Sequence, residues 1–251
     1  MKGICQLCKK EKELIKRSHI WPDFMYKGMY DEKGRLYVIN SQDLTKHRTV
    51  QSGSHQQYIF CSECDNVRIG QLERYASNHL YRKPYLEDGD DFKQINVPGG
   101  IQVIHCEHLD YNQFKLFLLS LLWRASISTE SVFENFKLSC EEEEFLRECI
   151  YDQAVVDEMV FPSVLLTSSG ATLDENFIAV DASRPGMVKF YINSFVYTFY
   201  LSENKKDETT RQLAIGMDHK MGIMKVSRAQ WNEIRTSIIN ATISAGKQKG
   251  S

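Results

Sequence analysis

The chain has 251 residues, of which 42% are hydrophobic and 25% charged, and its formal net charge is −2. This is the composition of an ordinary globular protein with one large or two smaller domains, and it excludes a repetitive or low-complexity chain. The longest apolar run, Phe114–Trp123, is much shorter than the about 20 residues that cross a bilayer, so we predict a buried helix there and no membrane contact.

The charge is unevenly distributed along the chain. Residues 1–83 contain 15 Lys and Arg against 9 Asp and Glu, whereas residues 84–251 contain 16 against 24. A mildly basic first segment suits contacts with nucleic-acid phosphates. No dense stripe of Lys and Arg is present, so an ordinary solvated surface explains the same counts.

Two Cys-x-x-Cys pairs lie in the first third of the chain, Cys5 with Cys8 and Cys61 with Cys64. This spacing lets both thiolates of a pair turn from a tight loop onto one metal ion, and two pairs complete a tetrahedral four-thiolate shell. A closed shell leaves no position for water, so we predict a structural Zn²⁺. The odd total of seven cysteines and the absence of a visible signal-peptide pattern favour metal binding and a cytoplasmic protein over disulfides.

The segment between the two pairs contains short elements. In chain order the sequence predicts a strand over 14–20, a short helix over 23–30, a strand over 34–40, a long polar loop with His47 and His55, and helical spacing from Asp65 onward. A treble-clef or ββα-metal zinc module has this arrangement: a Cys-x-x-Cys turn (a zinc knuckle), a hairpin, a second knuckle and a helix. We assign this module to residues 1–96.

The sequence pattern of residues 97–251 predicts a separate α+β domain, so we assign the whole chain to the α+β class. Its elements are a strand with Ile104, helices over 112–127, 139–157 and 226–243, and strands over 159–167, 177–182 and 187–201, the last turning back at Asn193. Ser139 is the expected N-cap of the second helix, whose first turn is acidic. This domain holds most of the large apolar residues, so we expect it to fold without zinc. Because no phosphate-binding loop is visible, we interpret it as a partner-binding or substrate-positioning domain.

The first segment resembles the zinc-containing HNH nucleases, which have the ββα-metal fold. The matching runs within residues 3–80 are Cys5-x-x-Cys8, Ser18-His19-Ile20-x-Pro22 and Cys61-x-x-Cys64-Asp65-Asn66. More narrowly, the chain is similar to bacterial HNH-like proteins with a Ser-His-Ile-x-Pro motif. The resemblance implies a metal-dependent endonuclease that acts on DNA rather than RNA. It also suggests a role in bacterial antiviral defence, which no residue indicates by itself.

The resemblance assigns roles to three residues. His19 falls at the general base, which would deprotonate water for attack on a phosphate. Asp65 falls at a ligand of the catalytic cation and, as a hard oxygen donor, suits Mg²⁺ or Mn²⁺. Asn66 would help to position the substrate strand or the metal shell.

The chain departs from the HNH pattern at Ser18, where the family commonly has an acidic or His ligand. Three interpretations remain open. A replacement ligand comes from Asp23, His47 or His55; or the cation is held by Asp65 with phosphate and water; or the chemistry has been lost. In the last case the chain is a non-catalytic zinc-stabilised module that binds nucleic acid or protein, and His19 is structural.

Overall fold

The computed structural model describes residues 1–39, 47–51, 53–81, 91–97, 101–168, 176–201 and 207–249. This part of the chain combines one seven-stranded sheet, three two-stranded ribbons and five α-helices. The predicted α+β class is confirmed. No helix within these ranges is both long and apolar enough to cross a membrane.

The first 81 residues contain the three antiparallel ribbons and a helical segment. The ribbons pair β1 (Lys2–Ile4) with β2 (Glu11–Glu13), β3 (Ser18–His19) with β6 (His55–Gln56), and β4 (Leu36–Ile39) with β5 (His47–Val50). A 3₁₀ turn covers Asp23–Tyr26, and π-type turns over Glu63–Ile69 and Ser77–Tyr81 flank helix α1 (Gly70–Ala76).

Three sequence predictions for this region are wrong in extent or type. The short helix predicted over 23–30 is only the 3₁₀ turn over Asp23–Tyr26. The strand over 14–20 is interrupted, because the Ile15 backbone bonds to Phe60 and Tyr58 and so draws the chain toward the second cysteine pair. The stretch with His47 and His55 is not one long loop, because each of these residues lies on a strand, paired with β4 and β3 respectively.

The large sheet has the strand order β10-β11-β12-β9-β13-β8-β7. All neighbours are antiparallel except β13 and β9, which run parallel. The strands are β7 (Phe92–Val97), β8 (Ile101–Cys106), β9 (Ser163–Ser168), β10 (Phe177–Asp181), β11 (Met187–Asn193), β12 (Phe195–Tyr200) and β13 (Met221–Val226). Residues 92–96, which we assigned to the zinc module, therefore lie on an edge strand of this sheet.

Four further helices pack around the sheet and the N-terminal region. They are α2 (Tyr111–Ile127), α3 (Cys140–Asp152), α4 (Glu208–Leu213) and α5 (Arg228–Lys249). Helix α3 begins at the predicted cap, since Ser139 and Glu142 form a reciprocal capping box. It ends earlier than predicted because Gln153 adopts a left-handed conformation, with φ 53°, and terminates the helix.

Helix α2 lies at the centre of the molecule, and every side chain from Phe114 to Ser126 is buried. Burial on all sides explains its continuous apolar run, since an amphipathic surface helix needs only one apolar stripe. It packs against both α1 and α3. The helix thus connects the N-terminal region with the rest of the fold.

One hydrophobic cluster extends from the first cysteine pair to β13. Trp21 packs against Phe133 and Phe190, with ring centroids 4.7 and 5.1 Å apart, and Phe60 stacks on Trp123 at 5.7 Å. Because these contacts cross the predicted boundary at residue 97, the shared core argues against the independent folding that the sequence suggests.

Candidate functional site

Four buried cysteines converge near the N-terminus. The Sγ atoms of Cys5, Cys8, Cys61 and Cys64 all lie within 4.8 Å of one another. A tetrahedron with Zn–S bonds of about 2.3 Å has S–S edges of about 3.8 Å, so the four sulfurs need only small shifts to close on one ion. The predicted convergence of the two pairs is confirmed, and the cluster can hold a metal such as Zn²⁺.

Backbone geometry holds the two cysteine pairs together. Cys5 and Cys8 lie in the turn between β1 and β2, where Lys9 takes a left-handed conformation with φ 55° and donates its N–H to the Cys5 carbonyl at 2.9 Å. The second pair begins the helical segment. A backbone hydrogen bond of 2.9 Å from Gln6 to Ile59 joins the two turns. These backbone hydrogen bonds therefore position both cysteine pairs without a bound ion.

The same backbone stabilises negative charge on sulfur. A hydrogen bond from Cys64 and further ones from the backbone of Cys8, Cys61 and Leu7 lower the pKa of Cys5 to about 4. The Cys61 N–H lies 3.3 Å from the Cys5 sulfur. The hydrogen bond with Cys5 raises the pKa of Cys64, and burial raises the pKa of Cys61, so of these three thiols only Cys5 is favoured without an ion as the thiolate, which is the form that binds zinc. Among the described residues no other group of three or more His, Cys, Asp or Glu side chains converges in this way.

A second polar site surrounds His19 on β3. His19 is half-buried and pairs across the ribbon with His55 on β6. Burial lowers the pKa of His19 below its usual value, while the nearby carboxylates of Asp23 and Glu73 act in the opposite direction. A lowered pKa favours the neutral imidazole at neutral pH, which is the form that accepts a proton.

Asp65 follows the second cysteine pair directly and lies in the first turns of the helical segment. Burial raises its pKa to about 6, and the Arg124 guanidinium and the Ser18 hydroxyl oppose this rise. Ser18 is 0% exposed, yet its Oγ forms no hydrogen bond of ordinary geometry with any described residue. Asp65 and His19 both lie within electrostatic reach of Glu73 and Arg124. A cation beside Asp65 would stabilise its charged form.

Arg124 on α2 joins these groups, and the sequence interpretation missed it. Its Nη1 donates to Glu73 Oε1 at 2.6 Å and to the His19 carbonyl oxygen at 3.1 Å. Its Nε donates to the Ser120 carbonyl at 3.2 Å. The side chain is 1% exposed. A cation inside a helix whose neighbouring residues are apolar is the signal that could have found it, because a buried charge requires partners.

The remaining candidates have other surroundings. The Asn66 side chain is exposed and donates to Ser62 Oγ at 2.9 Å, and no described contact connects it with His19. Asp23 is exposed and accepts a hydrogen bond from Tyr30. His55, which we expected on a solvated loop, is half-buried opposite His19. The side chain of His47 lies outside the described part of the chain.

Comparison with known proteins gave no match. No protein-family model, no curated protein and no solved structure is similar to this chain. The HNH resemblance therefore stays an expectation from the motifs.

Proposed function

We propose that this protein is a zinc-stabilised, metal-dependent endonuclease of the HNH type that hydrolyses phosphodiester bonds, in DNA rather than RNA. The observation that carries the proposal is that half-buried His19 and Asp65, the residue directly after the second cysteine pair, share Glu73 and Arg124 as electrostatic neighbours. The proposal is supported by Arg124, which joins the His19 carbonyl on β3 to Glu73 on the helical segment that also carries Asp65. The preference for DNA and a role in antiviral defence come from the motif resemblance alone.

The residues of the chain divide the work of hydrolysis. His19 takes a proton from the attacking water, since its lowered pKa keeps the imidazole neutral. Asp65 would hold Mg²⁺ or Mn²⁺ together with substrate phosphate and water, and Asn66 would contact the substrate strand. When bound, the cation supplies Lewis-acid polarisation of the phosphoryl oxygen and stabilises the leaving oxygen. A Zn²⁺ ion on the four cysteines would join the β1–β2 turn to the start of the helical segment and would take no part in the reaction.

Ser18 and Asp65 support a cation at this position. Asp65 is a half-buried carboxylate whose raised pKa reflects an incompletely compensated charge. The buried Ser18 hydroxyl beside it favours the charged form of Asp65 but forms no hydrogen bond of ordinary geometry with the described residues. Both oxygens are hard donors of the kind that Mg²⁺ and Mn²⁺ accept. The remainder of the protein, around the large sheet, would position the substrate or bind a partner protein.

The second candidate function is a non-catalytic zinc module that binds nucleic acid or protein. One observation favours it: within the described ranges, the cysteine cluster is the only place where three or more metal-ligating side chains converge. With Ser18 in place of a charged ligand, Asp65 is the only charged protein ligand assigned to the catalytic cation. In this case His19 serves as a packed structural residue of the ribbon.

Cleavage assays separate the two functions. Supercoiled plasmid, linear DNA and RNA are incubated with Mg²⁺ or Mn²⁺ and the wild type, His19→Ala or His79→Ala. His79 is a matched control because it is half-buried in the same region but bonds to the Tyr75 carbonyl at 2.9 Å. We expect His19→Ala to lower the cleavage rate by about 10²–10⁴-fold with unchanged zinc content and DNA affinity, because a general base contributes to the transition state. Cleavage that survives His19→Ala, or a wild type that never cleaves, rejects the nuclease.

A further inference from the structure

Arg124 makes contacts that differ from those of the other buried cation on the same helix. Lys115 is also 1% exposed, and its Nζ donates to the carbonyls of Glu158 and Val160, at 3.1 and 2.6 Å. Those carbonyls belong to the segment before β9 and lie outside the polar site. Arg124 instead reaches the main chain of His19 itself. Two buried cations on one helix thus serve different parts of the molecule.

The guanidinium of Arg124 connects three elements at fixed angles. One nitrogen, Nη1, binds both the His19 carbonyl on β3 and the Glu73 carboxylate on α1. The Nε and Nη2 atoms bind the Ser120 carbonyl and hydroxyl on α2, at 3.2 and 3.3 Å. A planar guanidinium fixes the directions of its hydrogen bonds, which a flexible ammonium group does not. The strand with the proposed base is therefore oriented relative to the helical segment that carries Asp65.

Other contacts than those of Arg124 already hold the His19 strand against the core. Ile20 and Trp21, which follow His19 directly, are 0% exposed, and Trp21 packs on Phe133 and Phe190. The Ile20 N–H also bonds at 3.0 Å to the carbonyl of Ser54, the residue before the facing strand β6. Apolar packing and backbone pairing already hold the strand against the core. What Arg124 adds is a directed contact at the carbonyl of His19.

We propose that Arg124 is a positioning residue, which with Glu73 sets the orientation of His19 and so lets helix α2 control the active-site geometry. This inference rests on the proposed nuclease function. Arg124 is too deeply buried to touch a nucleic acid, so it acts only through the His19 backbone and the Glu73 carboxylate. A displacement of about 1 Å at a reacting group costs about 10²-fold in rate.

The kinetic test uses Arg124→Met, Arg124→Lys, Glu73→Gln and the control Lys115→Met in the full-length zinc-loaded protein. We expect Arg124→Met to lower kcat by about 10–100-fold, with KM for DNA and zinc content unchanged. The loss should be smaller in Arg124→Lys, because lysine keeps the positive charge but lacks the planar guanidinium that directs the hydrogen bonds. Lys115→Met should lower the melting temperature without changing kcat. Equal effects of Arg124→Met and Lys115→Met on kcat, or a loss confined to KM, overturn the proposal.

Amide hydrogen exchange provides a measurement that does not depend on cleavage. Arg124→Met should accelerate exchange at residues 18–20 and 54–56 and leave β11 and β12 unchanged. Acceleration throughout the protein would mark Arg124 as a general structural residue and would overturn the proposal. If Arg124→Met does not fold, the cleavage kinetics and the amide exchange are measured on Arg124→Lys and Glu73→Gln instead.

The two proposals fail in distinguishable ways. A wild type without cleavage overturns the nuclease function and the kinetic consequence, while the exchange pattern still decides whether Arg124 orients the strand. A wild type that cleaves, combined with unchanged kcat and unchanged exchange in Arg124→Met, leaves the nuclease standing and removes the positioning role.

Discussion

Substitution of one zinc ligand should destabilise the protein by a calculable amount. In Cys61→Ser the hydroxyl is a weaker zinc ligand than a thiolate, so we expect purification of a zinc-free or zinc-poor protein. Loss of the ion removes the cross-link between two cysteine pairs that lie far apart in sequence. The magnitude follows from the length of chain that the ion closes.

Cys5 and Cys61 are 56 residues apart. By the chain-entropy relation used for disulfides, a cross-link that closes a loop of this length stabilises the folded state by about 4 kcal/mol. For a protein of 150–250 residues each kcal/mol corresponds to about 2–4 °C in melting temperature. Cys61→Ser should therefore lower the melting temperature by about 8–16 °C.

The assay combines elemental analysis, circular-dichroism melting and tryptophan fluorescence. Fluorescence reports the change because Trp123 stacks on Phe60, the residue before Cys61. Cys106→Ser is the matched control, since Cys106 is equally buried but lies on β8 outside the cluster. This control should keep one zinc per chain.

Two results would refute the reasoning. One is a wild type that contains no zinc after purification without chelators. The other is a Cys61→Ser variant whose melting temperature falls no further than that of Cys106→Ser. Either result would mean that the four thiols pack together without serving as a metal cross-link.

Three further predictions test other parts of the structure. Ser139→Ala removes the N-cap of α3 and should lower stability by about 1 kcal/mol, or about 2–4 °C in a thermal melt. Ser18→Asp places a carboxylate in a fully buried position beside Asp65, so without divalent ions the variant should melt at a lower temperature than the wild type. Mn²⁺ should raise the melting temperature of the variant more than that of the wild type. Equal increases in the two proteins would show that no cation binds there. Native zinc-loaded protein treated with iodoacetamide should be modified first at the exposed Cys140, whereas Cys106, whose pKa burial raises to about 12, should react only after unfolding, as peptide mass spectrometry will show.

Local patterns predicted the parts of the fold that depend on neighbouring residues. The spacing of each cysteine pair, the apolar run of α2 and the Ser139 capping box all express interactions within a few residues. The turn at Asn193 followed the same logic, because a left-handed residue with φ 62° suits asparagine at a tight hairpin. Such features are readable because the chain itself fixes the distance between the partners.

Pairings between distant segments could not be predicted in this way. Strand β13 lies between β8 and β9, and the residues of β13 alone do not predict which strands it pairs with. The bond from Arg124 to Glu73 joins residues 51 positions apart, and the bond to His19 spans 105 positions. The position of His55 opposite His19 was missed for the same reason, since its strand is only two residues long and too short to show alternation.

The central position of β13 has a consequence for how the protein forms during synthesis. Both cysteine pairs and α2 emerge from the ribosome well before β13, so metal capture can precede completion of the sheet. Until β13 arrives, β8 and β9 present open edges, with unpaired backbone groups and apolar side chains such as Ile104 and Leu165. A nascent chain that stalls before Met221 would hold an assembled cysteine cluster beside two unfinished half-sheets, which are templates for pairing with another chain.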